Sequence, residues 1–85
     1  MNTNWTEVEY APSGSQKALK KDYFFKNFLE ALAFVNKVGD VAEEMGHHPD
    51  IRFTWGIVTI WLTSHDEHGI TERDHELSKK IDKIV

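Results

Sequence analysis

The chain has 85 residues, five histidines, no cysteine and a formal net charge of -4. That length suits one domain with a small core, which self-association would help to complete. The acidic balance argues against binding nucleic-acid phosphate, and the lack of cysteine removes disulfides and thiolate ligands.

No apolar run reaches the roughly 20 residues of a membrane span, and Met1 to Asn4 leads into polar sequence without a signal-peptide core. A cytoplasmic protein is expected. Trp5 to Tyr10 alternates and predicts a short first strand. Ala11 to Ser15 is turn chemistry, and Ala18 to Phe25 predicts a second strand paired with the first as a hairpin. Its Leu19, Tyr23 and Phe25 share one parity.

Asn27 is placed to cap a helix, with Glu30 three residues on to complete a capping box. From Phe28 to Met45 apolar residues recur at helical spacing. One row holds Phe28, Leu32, Val35 and Ala42, and the next holds Phe34, Val38, Val41 and Met45. Together they are wider than one core contact needs. The excess is expected to lie under loops or against another subunit, and Gly46 ends the helix.

Ile51, Phe53 and Trp55 alternate with Arg52 and Thr54 as a third strand, which places Trp55 in the core by parity. Gly56 turns the chain. Ile57 to Ser64 is a fourth strand, with Val58, Ile60 and Leu62 on one face and Thr59, Trp61, Thr63 and His65 on the other. Thr71 caps a last helix striped by Leu77, Ile81 and Ile84, and Lys79, Lys80 and Lys83 suit its C-terminal end. The order β-β-α-β-β-α predicts a two-layer α+β domain spanning residues 1–85. A four-stranded antiparallel sheet with both helices on one face buries every stripe.

Three histidines fall where elements end: His47 and His48 before the third strand, His65 after the fourth. A hairpin of those strands brings them together. Histidine titrates near neutral pH, so such a cluster can take and give protons. A metal site with His47, His65 and His68 as ligands is the rival, although the spacing matches no specific zinc pattern. His68 and His75 read as surface residues. Asp74 stands three residues after Thr71 and on the inward stripe of the last helix. It suits a capping box, and equally a carboxylate that orients a histidine.

Glu43, His47-His48-Pro49, Trp55, His65 and Asp74 resemble, in type and spacing, the signature of the pterin-4a-carbinolamine dehydratase family. Trp5, the Leu19 to Phe25 strand, Phe28-Leu29-Glu30-Ala31, Leu62-Thr63-Ser64-His65 and Gly69-Ile70-Thr71-Glu72-Arg73-Asp74 extend the likeness over nearly the whole chain. Two departures stand out. Animal members carry an additional N-terminal helical segment, and Glu67-His68 replaces two residues that are often small. The resemblance implies a hydro-lyase that removes water from a 4a-hydroxy-tetrahydropterin without metal or other cofactor. It implies His47 and His65 as the acid–base pair, with Asp74 supporting the cluster. His48, Trp61 and Glu43 are the expected substrate contacts, Trp61 as a pocket wall or subunit contact. A homodimer or homotetramer is implied as well. The alternative is a protein-binding dimerisation module of the same fold that has no catalytic role. Retention of His47, His48 and His65 favours the enzyme.

Overall fold

The computed structural model describes residues 4–10 and 16–85, and the turn predicted at 11–15 lies outside them. The elements are β1 (Thr6–Glu9), β2 (Lys17–Phe24), α1 (Phe28–Met45), β3 (Asp50–Phe53), β4 (Ile57–Leu62), a single 3₁₀ turn at His65–Glu67, and α2 (Glu72–Asp82). The strands form one antiparallel sheet in the order β1-β2-β4-β3.

Register places Leu19 opposite Leu62, Tyr23 opposite Val58 and Ile51 opposite Ile60. Side chains alternate along a strand, so these residues share one face. Leu19, Tyr23, Val58, Ile60 and Leu62 pack there against Ala31, Phe34 and Val38 of α1 and Leu77 and Ile81 of α2. Both helices thus cover one face of the sheet, as the sequence predicts. Burying a side chain such as Leu77 or Ile81 contributes about 1.5–3 kcal/mol.

The other face is open and mostly polar. Thr59 Oγ1 donates to Asp22 at 2.6 Å, and Lys20 Nζ lies 5.9 Å from the centre of the Trp61 ring. With Arg52, Thr54 and Ile57 they line a shallow groove of about 310 Å³.

Local chemistry sets the ends of α1. Asn27 Oδ1 accepts from Glu30 N at 2.9 Å, while the Glu30 carboxylate takes Lys26 N at 3.3 Å, one residue outside the predicted capping box. Gly46, at φ 66°, closes the helix in the left-handed region. His47 N then reaches Ala42 O, and Gly46 N reaches Glu43 O, a Schellman closure.

Two expectations need correction. Trp55 is 68% exposed, not in the core. β3 stops at Phe53, so the parity that assigned Trp55 inward ends before it. There Phe25 N donates to Gly56 O at 2.8 Å, so tightly that a Cβ on Gly56 would come 2.9 Å from Phe25 O. Likewise β4 ends at Leu62, two residues early, and His65 opens the 3₁₀ turn. Of the apolar rows of α1, Val35, Val41 and Met45 pack against the core, while Phe28 stacks on Phe53 but stays 50% exposed; Leu29, outside those rows, is 73% exposed.

Candidate active site

The end of α1 aims two adjacent histidines in opposite directions. Both lie between the turn at Gly46 and the start of β3. His47 points inward and is 8% exposed, whereas His48 faces solvent.

Inside, His47 Nε2 meets Asp74 Oδ1 at 2.5 Å. Asp74 is fully buried in the first turn of α2. Its other oxygen accepts from Thr71 N at 2.9 Å and from Ser64 Oγ at 2.8 Å. A carboxylate accepts only, so His47 carries its hydrogen on Nε2 and keeps Nδ1 free of Asp74. Ser64 has spent its one hydrogen, so it receives the Thr71 hydroxyl at 2.8 Å. Asp74 is thus both the acidic partner of the α2 capping box and a hydrogen-bond partner of His47.

Ser64 links that pair to the second histidine, its neighbour in the chain. A bridge between Ser64 and Gly69 closes the loop around His65. Across the loop, Asp66 accepts from Arg73 at 2.6 Å. The Arg73 hydrogen bond holds the Asp66 carboxyl below its ordinary pKa. The His65 ring lies 5.9 Å from the Tyr10 ring, and its Nδ1 is 3.4 Å from Gln16 Nε2. Gln16 also touches Thr63 at 2.7 Å.

On the solvent side, His48 Nε2 pairs with Glu43 Oε1 at 2.9 Å. His47, Asp74 and, through Ser64, His65 thus form one connected unit, with the His48–Glu43 pair attached through the His47–His48 peptide. Trp61 lies in the groove of the open face, whose lining includes none of the histidines. His68 and His75 are exposed. Among the described residues, no group of three or more His, Cys, Asp or Glu is placed to hold a metal ion.

Sequence reasoning did not single out Gln16, Ser64 or Tyr10. Alternation put Thr63 on the His65 face, which was a usable signal. Ser64 and Gln16 gave none, because their partners lie 10 and 49 residues away in the chain.

Residues 1–84 match the family described as pterin 4 alpha carbinolamine dehydratase. A relative from Koribacter versatilis, provisionally named a pterin-4-alpha-carbinolamine dehydratase, is 51% identical over 79% of this chain and 71% of its own. One of the same provisional name from Prochlorococcus marinus is 44% identical over 92% of this chain and 84% of its own. A solved transcriptional coactivator/pterin dehydratase from Brucella melitensis superposes with a TM-score of 0.83 at 29% identity, over 94% of this chain and 80% of that one. A pterin dehydratase-like RuBisCO assembly factor of the alpha-carboxysome shares the fold, with a TM-score of 0.77 at 24% identity over 95% of this chain and 88% of its own. With a family match along almost its full length and 51% identity to such a relative over 67 residues, the chain belongs to the pterin-4-alpha-carbinolamine dehydratase family.

Proposed function

We propose that the protein is a 4a-hydroxy-tetrahydropterin dehydratase, expelling the 4a-hydroxyl as water to give the quinonoid dihydropterin. The reaction asks for a donor to the leaving hydroxyl, an acceptor for a ring-nitrogen proton, and a surface that holds a flat ring. It calls for no redox change and no group transfer, so side chains suffice. His47 and His65 are the acid–base pair. His48 holds the substrate, with Glu43 steering His48 and Trp61 as a wall. Asp74 fixes the His47 ring.

The observation that carries this reading is the single unit of His47, Asp74, Ser64 and His65. It offers two histidines from different elements, one of them anchored on a buried carboxylate. The test is a dehydration assay on chemically generated 4a-hydroxy-tetrahydropterin, corrected for the uncatalysed rate. A rate above background that survives a chelator is expected. No acceleration at micromolar protein would overturn the reading.

A second reading is favoured by exposed apolar surface at Phe24, Phe28 and Leu29. In it the protein binds another chain, and catalysis is secondary or absent. The names of the two solved relatives include such roles for those proteins. The same surface supports self-association into a homodimer or homotetramer. Sedimentation at micromolar concentration checks this, and a 9.9 kDa species alone would exclude it.

A further inference from the structure

A chain of hydrogen bonds with a fixed direction leads to His65. It begins at a backbone carbonyl. Lys17 O only accepts, so the Thr63 hydroxyl 2.8 Å away gives it its hydrogen. With that hydrogen committed, Thr63 Oγ1 meets Gln16 at 2.7 Å as an acceptor. Gln16 must therefore turn its amide nitrogen toward Thr63. The reversed amide would set two acceptor oxygens face to face. Gln16 is 9% and Thr63 5% exposed, so water has little access to relieve that clash. A buried polar group left without a partner costs about 1–3 kcal/mol.

The same amide nitrogen has a second hydrogen, and His65 Nδ1 lies 3.4 Å from it. Nδ1 then accepts. In a neutral imidazole with one nitrogen accepting, the hydrogen sits on the other. The Gln16 main chain is held separately, by Tyr10 N at 2.7 Å from Gln16 O.

We propose that Gln16, oriented by Thr63, is a positioning residue that fixes His65 as its Nε2–H tautomer. Resting on the acid–base reading above, this divides the labour. His47 spends Nε2 on Asp74 and has a lone pair left at Nδ1. His65 spends Nδ1 on Gln16 and has a hydrogen left at Nε2. His47 takes the ring-nitrogen proton at Nδ1, and the His65 Nε2–H donates a hydrogen bond to the departing hydroxyl, which leaves as water with the proton that His47 has taken. The two rings are in the same tautomer but offer opposite ends.

The test is ¹⁵N NMR of the imidazole nitrogens in the full chain without substrate, at a pH where His65 is neutral. The expected result is a lone-pair signal at His65 Nδ1 and a protonated one at Nε2. In Gln16→Glu the side chain has no hydrogen to give, and the proton moves to Nδ1. In Thr63→Val the amide is free to turn, and the two tautomers mix. Gln16→Ala lowers kcat about tenfold with KM within about twofold, well short of the loss of His65 itself. Circular dichroism confirms that each variant is folded. A His65 tautomer unchanged in folded Gln16→Glu overturns the proposal. Should that variant not fold, an unchanged tautomer in Thr63→Val does so. Because the NMR readout needs no substrate, it separates two failures. A Gln16-dependent tautomer in an inactive protein refutes the dehydratase reading alone. A Gln16-independent tautomer in an active one refutes this inference alone.

Discussion

Asp74 at the start of α2 and Asp82 at its end each accept hydrogen bonds from three residues, but the donors differ in kind. Asp74 is fully buried and takes His47, Ser64 and Thr71. Asp82 is partly exposed and takes Trp5 beside β1, and Lys21 and Tyr23 of β2. The C-terminal carboxylate clasps a helix to a sheet. The N-terminal one ties the helix to the turn after α1 and to the segment after β4, and holds the His47 ring. One helix thus carries two anchors, and only one of them leads to chemistry.

The largest expected effect is at the rings themselves. His47→Ala and His65→Ala are expected to lower kcat by about 10²–10⁴-fold, the usual cost of losing a general acid or base. His48→Ala acts mainly through KM, as loss of uniform binding does. Steady-state kinetics on folded variants, corrected for background dehydration, measures all three. If His48→Ala abolished kcat and His65→Ala kept it, the roles assigned here would be wrong.

Next come the carboxylates, where the comparison between the ends of α2 can be broken. Asp74→Ala strips three donors of a buried partner and is expected to cost about 3–5 kcal/mol of stability. Asp74→Asn keeps an acceptor and the shape, and is expected to lower kcat about 10- to 100-fold by letting the His47 ring turn. Asp82→Asn should leave kcat within about twofold, because its donors lie away from the histidines. Urea unfolding and kinetics of both variants give the answer. If Asp82→Asn matched Asp74→Asn in kcat, α2 would be transmitting strain along its length, and the two anchors would not be separate.

Much of this contrast was not legible in the chain. Asp74 was, because its spacing from Thr71 marks a cap and its place on the Leu77 stripe marks an inward face. The α1 boundaries were legible too, since Asn27 and Gly46 act locally. Asp82 was not, because its partners Trp5, Lys21 and Tyr23 lie 59–77 residues earlier and meet it only through sheet order. Trp55 misled for the opposite reason: alternation was extended past the point where backbone pairing stops. Of the candidate site, the histidines were legible by type and position. The directions of their free nitrogens were not, because Gln16 meets His65 and Asp74 meets His47 only across the fold.

A smaller effect sharpens the same comparison through pH. Burial pushes the Asp82 carboxyl up, but hydrogen bonds from Lys21 and Tyr23, the Lys21 charge and the Trp5 bond outweigh it and hold it below its ordinary value. Burial, with the Asp82 bond and charge, pushes the Tyr23 phenol far above its own, so it stays a donor. A depressed folded pKa means the unfolded chain takes up the proton first as pH falls. The contribution is therefore complete above the unfolded carboxylate value of about 3.9 and is lost as pH falls through the folded value. Asp82 is 40% exposed in its side chain. Screening limits the effect, so Asp82→Asn is expected to lose about 1 kcal/mol at neutral pH. The variant and the parent should converge in stability at acid pH. Urea midpoints at pH 7 and pH 3 test this, and a gap that widened at pH 3 would reverse the sign.

The smallest effect belongs to the exposed pair. Glu43 and His48 sit 2.9 Å apart, with side chains 82% and 64% exposed. Exposed ion pairs contribute about 0.2–1 kcal/mol, so Glu43→Gln is expected to raise KM only about two- to fivefold. The kcat should stay unchanged, because Glu43 acts on a residue that holds substrate and does not itself move a proton. Salt offers an independent check. At about 1 M the screening length falls to roughly 3 Å, so a pair held by charge weakens in the parent as well. The KM of the parent should then rise toward that of Glu43→Gln, and the difference between them should close. A KM gap that persisted at high salt would mean that Glu43 reaches the pterin directly by hydrogen bonding. A fall in kcat beyond about tenfold would place it among the groups that touch the reacting atoms, since loss of a purely steering contact leaves kcat intact.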